Sequence, residues 1–74
     1  MKLKPIASNM TELEVQGATV LFSYSTPVAC RSLGNYYRTE HKWSQTTTRH
    51  INKWLDGVVA ETKPQEFFNN IVGA

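Results

Sequence analysis

The chain has 74 residues, 41% of them hydrophobic, and a formal net charge of +2 at pH 7. This length predicts one small domain spanning 1–74, near the lower limit at which a core is stable without a metal, a disulfide or a partner. The apolar share excludes an intrinsically disordered chain, and the lone cysteine, Cys30, excludes an internal disulfide. We therefore expect one folded domain, for which self-association is a candidate source of added stability.

The first residues, MKLKPIASNM, include two lysines, as the start of a secretory signal often does. Pro5, Ser8 and Asn9 interrupt the apolar stretch that such a signal needs, and no later run is long and apolar enough to span a membrane. A single cysteine also fits a reducing compartment. The sequence therefore predicts a soluble cytoplasmic protein.

The first half of the chain shows the two-residue period of β-strands. In TELEVQ (11–16) polar and apolar residues alternate, and ATVLFSYS (18–25) follows with a similar pattern. Gln16 and Gly17 are predicted to form the turn between them, because glycine adopts the positive φ that hairpin turns require. Pro27 should end the second run, since proline lacks the amide donor of a central strand.

A second hairpin is predicted from VACRSL (28–33) and YYRTEHKW (36–43). Gly34 and Asn35 between them have the residue order of a type II′ turn. Strand 36–43 would therefore return antiparallel to strand 28–33.

Alternation along strand 36–43 predicts which side chains face the core. Arg38, Glu40 and Lys42 share one face and are costly to bury, so the other face should pack inward. That inward face carries Trp43 and, at its inner side or edge, His41, which we expect to be hydrogen-bonded rather than catalytic.

From Ser44 onward the apolar period becomes helical. The residues at helical spacings of three and four are Thr47, Ile51, Trp54, Leu55 and Val58. They predict an amphipathic helix with Ser44 as its N-cap and Gly57 just past its end. A second helix is predicted after the N-cap residue Thr62, with Pro64 in its first turn, Gln65 at the capping-box position and Gly73 as its stop.

Together these elements predict an α+β fold. It would consist of an antiparallel three- to four-stranded sheet, connected as a meander, followed by two α-helices packed mainly on one face.

Three runs, VLFSYSTPVA, YYRTEHKWS and TTTRHINKWL, together resemble a short uncharacterised domain found in bacteriophages and other mobile elements. The resemblance covers about residues 15–56, with the N-terminal segment and the tail after Gly57 outside it. It implies a viral or mobile-element origin, and hence the cytoplasm of a host cell, and it brings no assigned catalytic residues.

The middle of the chain is basic. Between residues 28 and 55 Glu40 is the one acidic residue, whereas five are basic: Arg31, Arg38, Lys42, Arg49 and Lys53. Most of these residues lie on the predicted strand and the predicted helix. We therefore expect the two elements together to present a binding face for nucleic acid. Its basic residues would contact phosphates and its tyrosine would stack on unpaired bases. The candidate nucleic-acid-binding residues are Tyr36, Arg38, Lys42, Arg49 and Lys53.

The start of the first helix is a candidate anion site. Ser44, Thr46 and Thr47 surround a helix N-terminus, where free amides and the macrodipole favour a phosphate. The alternative is that these hydroxyls only cap the helix, which needs no ligand.

Catalytic and metal chemistry have little support in the sequence. Cys30 with His41 or His50 is formally a nucleophile and a base, but a lone cysteine is usually a small buried hydrophobic residue. The glycines are scattered and form no phosphate-binding loop, and no zinc-ligand spacing occurs. We therefore expect a non-enzymatic protein with no catalytic residues, no cofactor and no metal.

Two binding functions remain open. The first is an accessory protein of a phage or mobile element that binds nucleic acid through the basic strand and helix. The second is a protein–protein interaction module that self-associates, or binds or inhibits a host protein, through apolar groups such as Leu21, Tyr36 and Phe67.

Overall fold

The computed structural model describes residues 2–15 and 17–73, and in this part of the chain it contains six strands and two helices. In chain order the elements are β1 (Lys2–Ala7), β2 (Met10–Val15), β3 (Ala18–Ser23), β4 (Thr26–Ser32), β5 (Asn35–Thr39), α1 (Gln45–Leu55), β6 (Glu61–Lys63) and α2 (Gln65–Ile71). The strands form one sheet in the order β1-β2-β3-β4-β5-β6. Neighbours are antiparallel except β5 and β6, which are parallel and joined through α1.

The predicted α+β class is confirmed, but the prediction of three to four strands was too low. The sheet has six strands because β1 and β6 add one strand at each edge. Pro5 made β1 unrecognisable as a strand in the sequence, because proline lacks an amide donor. An edge strand tolerates proline, since one side of its backbone makes no hydrogen bonds to another strand. The strand β6 has 3 residues, too few to show a period.

The hairpin of β4 and β5 is confirmed, with its turn one residue earlier than predicted. Ser32 pairs with Asn35, so Leu33 and Gly34 are the central turn residues. Both have positive φ, 52° and 81° respectively, as a type I′ turn requires. At the preceding predicted turn, Gln16 lies outside the described residues.

The strand predicted over 36–43 ends at Thr39 in the structure. Glu40 donates its backbone N–H to the Lys63 carbonyl at 2.9 Å, and beyond that bond the chain leaves the sheet to reach α1. The inward positions predicted for His41 and Trp43 were therefore wrong, because both side chains are exposed.

The two helices cover opposite faces of the sheet, so the prediction that both pack mainly on one face was wrong. Leu21 on β3 packs with Ile51 and Leu55 of α1. Its neighbour Val20 packs with Phe68 of α2. Successive side chains of a strand point to opposite faces, so α1 and α2 lie on different sides of the sheet.

The central strands have the composition that burial on both faces requires. In β4 the consecutive residues Val28, Ala29 and Cys30 are all fully buried. Such continuous apolar runs are typical of strands covered by helices on both sides. Leu21, predicted as an uncovered apolar group, is fully buried beneath α1.

Helix α1 begins and ends as predicted. The Ser44 hydroxyl accepts a hydrogen bond from the Thr47 backbone N–H at 3.1 Å, and Asp56 and Gly57 follow the last turn with positive φ. Helix α2 has Pro64 at its N-cap position, without a side-chain cap. Thr62, predicted as that cap, instead pairs with Arg38 in the sheet. Among the described residues, no helix combines the length and the apolar character needed to cross a membrane.

Candidate binding cleft

An open cleft of about 770 Å³ lies where the end of β5, the segment 40–44 and the first turns of α1 meet. It follows from the topology: the chain leaves β5, crosses the sheet through α1 and returns as the parallel strand β6. In such a unit the loop after the strand and the start of the helix face a shared space. The binding cleft, as we call it, is that space.

Three cations and one carboxylate lie on the walls of the binding cleft. Arg38, Lys42 and Arg49 supply the positive charges and Glu40 the negative one. Arg38 is half-buried, and its guanidinium donates from Nη1 to Asn52 Oδ1 of α1 at 3.2 Å in an exposed hydrogen bond. This hydrogen bond holds the guanidinium against the helix before any ligand arrives.

The cations of the binding cleft have no carboxylate within ion-pair distance among the described side chains. Over the side chains of residues 3–15 and 17–73 the structure has one ion pair, between Lys63 Nζ and Glu61 Oε2 at 2.6 Å on β6. The Glu61 carboxylate raises the pKa of Lys63 through a hydrogen bond and its charge. The cations of the cleft therefore keep their charge available for an anionic ligand.

A glutamine of α2 is hydrogen-bonded to two residues that line the cleft. Gln65 Oε1 accepts hydrogen bonds from Thr39 Oγ1 at 2.9 Å and from Trp43 Nε1 at 3.1 Å. Its amide Nε2 donates to the Pro27 carbonyl at 2.6 Å and to Asn69 Oδ1 at 3.2 Å. Gln65 thus joins α2, β4, β5 and the segment 40–44 at one point.

The indole of Trp43 remains 46% exposed although its N–H is bound. The His41 ring lies beside it, with ring centroids 4.3 Å apart and planes inclined by 58°. Both side chains line the binding cleft. Sequence reasoning missed them as cleft residues because it extended the strand alternation past Thr39, and it had no signal for the contacts of Gln65.

The structure brings three of the five candidate nucleic-acid-binding residues together. Arg38, Lys42 and Arg49 share the binding cleft. Lys53 is exposed farther along α1 and does not line it. Tyr36 is half-buried, and its ring packs edge-on against the Trp54 ring of α1 at 6.2 Å.

The hydroxyls of the candidate anion site are used largely within the fold. Thr47 is buried, and its Oγ1 receives a hydrogen bond from Ser44 Oγ at 3.3 Å and lies 3.1 Å from Ser23 Oγ. Ser44 also caps α1, while Thr46 is exposed outside the cleft walls. Helix capping accounts for the positions of Ser44 and Thr47.

A second polar cluster joins β3 to α1 on the same side of the sheet. Ser23 Oγ lies 2.8 Å from His50 Nδ1, and the Tyr24 ring packs near the imidazole at a centroid distance of 5.8 Å. Ser23 is 2% exposed, so its hydroxyl is enclosed between β3 and α1. The cluster acts as a structural tie, and no sequence signal marked it.

Cys30 lies on the other side of the sheet from His50. It packs with Val20 and Phe68 beneath α2, and burial raises the pKa of its thiol to about 11. Cys30 and His50 therefore do not form a nucleophile–base pair. Within the part of the chain that the structure describes, no group of three or more His, Cys, Asp or Glu is placed to hold a metal ion.

Comparison with curated proteins and with solved structures gives no match. A family model does match, over residues 1–70, and it is that of DUF8033, a family of unknown function. The match also takes in the N-terminal segment and most of the tail that the sequence resemblance left outside. The six-stranded sheet, helix α1, all but the last residue of α2 and every wall of the binding cleft lie within the matched residues. This chain belongs to the DUF8033 family.

Proposed function

We propose that this protein is a non-enzymatic accessory protein of a bacteriophage or other mobile element that binds nucleic acid through the binding cleft. The observation that carries the proposal is the convergence of Arg38, Lys42 and Arg49 in one open cleft without ion-pair partners. Phosphate contacts by arginine and lysine supply most of the affinity of sequence-independent nucleic-acid binding.

The geometry of the arginines supports a phosphate ligand. Arg38 is held by Asn52, so part of the entropy cost of ordering its long side chain is already met in the free protein. Arg49 is exposed on α1 across the cleft. A phosphodiester in the cleft would meet guanidinium groups carried by two different elements, Arg38 on β5 and Arg49 on α1.

The charge of the cleft predicts a modest, salt-sensitive affinity. Neutralising three phosphates on a single strand predicts a slope of about −2 in a plot of log K against log salt concentration. Glu40 on the wall reduces the local charge, and the formal net charge of the chain is only +2. Binding should therefore be measurable at low salt and fall clearly by physiological salt.

Fluorescence anisotropy with labelled oligonucleotides at two salt concentrations tests the proposal. Arg49→Gln should weaken binding by about 5-fold or more, because a phosphate contact is lost. Arg31→Gln is the matched control: Arg31 is equally exposed, the charge change is identical, and the residue does not line the cleft. Equal losses in both variants, or no binding by the wild type at low salt, would reject the cleft as the nucleic-acid site.

A protein interface is the second candidate, favoured by apolar side chains at one end of the sheet. Leu33 in the β4–β5 turn is 95% exposed and Val59 before β6 is 93% exposed. Light scattering over a concentration series tests self-association. A stable oligomer that is indifferent to salt and oligonucleotide, and that Leu33→Ser with Val59→Ser disrupts, would favour this second function over the first.

A further inference from the structure

Trp43 exposes a large part of its aromatic side chain to solvent, unlike the other tryptophan of the chain. The chain has two tryptophans, and the other, Trp54, is half-buried with its Nε1 donating to Glu12 Oε2 at 2.6 Å. Trp43 keeps 46% of its surface exposed on the wall of a cleft. A large aromatic surface left open at a concave, charged position is typical of a binding site.

The orientation of the Trp43 ring is restricted by a hydrogen bond to helix α2. Its N–H binds Gln65 Oε1 at 3.1 Å, and Gln65 is itself anchored on the Pro27 carbonyl at 2.6 Å. Because the polar edge is satisfied, the exposed part of the ring is its apolar surface. A ligand that stacks on it would meet a ring whose rotational freedom is already restricted, which favours affinity.

The residues around the Trp43 ring indicate which class of ligand would bind there. The His41 ring packs against the indole with ring centroids 4.3 Å apart, and Lys42 and Arg49 line the same cleft. An aromatic surface beside cations is the arrangement with which proteins hold unpaired bases and their phosphates. A duplex keeps its base faces stacked inside, so it cannot offer one to Trp43.

We propose that Trp43, bordered by His41 and positioned by Gln65, is a stacking platform for an unpaired base, so that the ligand class of the binding cleft is single-stranded nucleic acid. The inference rests on the proposed function and narrows it from nucleic acid in general. Lys42 and Arg49 would contact the phosphates on either side of the stacked base. The contact would be tolerant of sequence, since every base presents a flat aromatic face.

The test compares a short oligothymidylate and an oligouridylate with a blunt-ended duplex of equal phosphate number, which has no unpaired loop, by anisotropy at low salt. Trp43→Leu should weaken single-strand binding by about 5- to 150-fold, the range of base–aromatic stacking, and Trp43→Phe should retain most of the affinity. In Trp54→Phe, Trp43 is the one tryptophan left, and its fluorescence should be quenched by the single strand. Thermal unfolding of each variant checks that the fold is intact.

The outcomes separate the inference from the proposed function. Preference for the single strand, loss in Trp43→Leu and quenching of Trp43 support the inference, and the two oligomers show whether DNA or RNA is favoured. Equal binding of duplex and single strand, with Arg49→Gln weakened and Trp43→Leu unchanged, overturns the stacking platform and leaves the proposed function standing. Binding of no oligonucleotide at low salt overturns both.

Discussion

Ser23 Oγ and His50 Nδ1 lie 2.8 Å apart although 27 positions separate the two residues in the chain. The bond fastens the last residue of β3 to the middle of α1, and the same hydroxyl lies 3.1 Å from Thr47 Oγ1. Because α1 forms one wall of the binding cleft, this tie also sets the position of that wall relative to the sheet.

Ser23→Ala should lower the free energy of unfolding by about 1 to 3 kcal/mol, because the buried Thr47 and the half-buried His50 both lose their hydrogen bond to the Ser23 hydroxyl. Urea unfolding followed by circular dichroism measures the change. Ser25→Ala, at an exposed turn position two residues later, is the matched control and should change stability by about 0.5 kcal/mol or less. An equal effect of both substitutions would show that the tie contributes nothing specific.

Gln65→Leu should destabilise the protein by about 2 kcal/mol or more, since it removes four hydrogen bonds at a part-buried position. Gln65→Glu should keep the acceptor for Trp43 and lose the two donated bonds. The indole N–H signal of Trp43 in a nitrogen–proton correlation spectrum reports which bonds survive. Gln45→Leu, at an exposed position of α1, is the control; an unchanged Trp43 signal in Gln65→Leu would contradict the anchoring role.

Leu33→Asn should stabilise the protein by about 0.5 to 1 kcal/mol. Leu33 has a φ of 52° and is 95% exposed, so its side chain gains little from burial and its backbone is strained. Asparagine adopts this conformation more readily, and Asn-Gly is the favoured pair of a type I′ turn. Leu33→Ala retains the strain and serves as the control in thermal unfolding; an equal rise in Tm with alanine would indicate a cause other than the backbone.

The thiol of Cys30 should react slowly in the native protein. Burial raises its pKa from 9.0 to about 11, which lowers the thiolate fraction at neutral pH by about 100-fold. Labelling with a chromogenic disulfide reagent should be slow before unfolding and fast after it. Rapid labelling of the native protein would show that the face beneath α2 opens easily.

The raised pKa of Cys30 also predicts that the protein becomes less stable at high pH. The folded-state pKa of Cys30 lies above its unfolded value, so its contribution is complete below about pH 9 and declines as the pH rises toward 11. The stability of the wild type should therefore fall over this range more steeply than that of Cys30→Ala. Parallel pH profiles from urea unfolding would contradict the assignment.

Helix α1 could be predicted almost completely, because its determinants are local. The Ser44 cap and the spacing of Thr47, Ile51 and Leu55 fix its start and its buried face. The strand β1 could not be predicted, since Pro5 is acceptable only at a sheet edge, and edge position is a property of the assembled sheet. The prediction missed that helices cover both faces of the sheet. The run from Val28 to Cys30 is buried throughout, so it shows no alternation of polar and apolar residues.

The charged part of the binding cleft could also be predicted in outline. Arg38 and Lys42 are costly to bury, which depends on residue type alone, and Arg49 lies on the polar side predicted for α1 by its helical period. The placement of Trp43 was missed because alternation does not show where a strand ends. The role of Gln65 depends on α2 meeting β4 and β5, a tertiary contact that leaves no trace in local sequence.

The sequential strand order has a consequence for folding. The antiparallel pairs of the sheet join neighbours in the chain, so most of the sheet can form through short loop closures, which favours rapid folding. The pairing of β5 with β6 instead requires α1 to be placed first, because the chain runs through that helix between the two strands. The binding cleft has walls from β5, α1 and β6, so we expect it to be among the last features to form. A ligand that occupies it would then act on folding itself, shifting the population toward the complete native state.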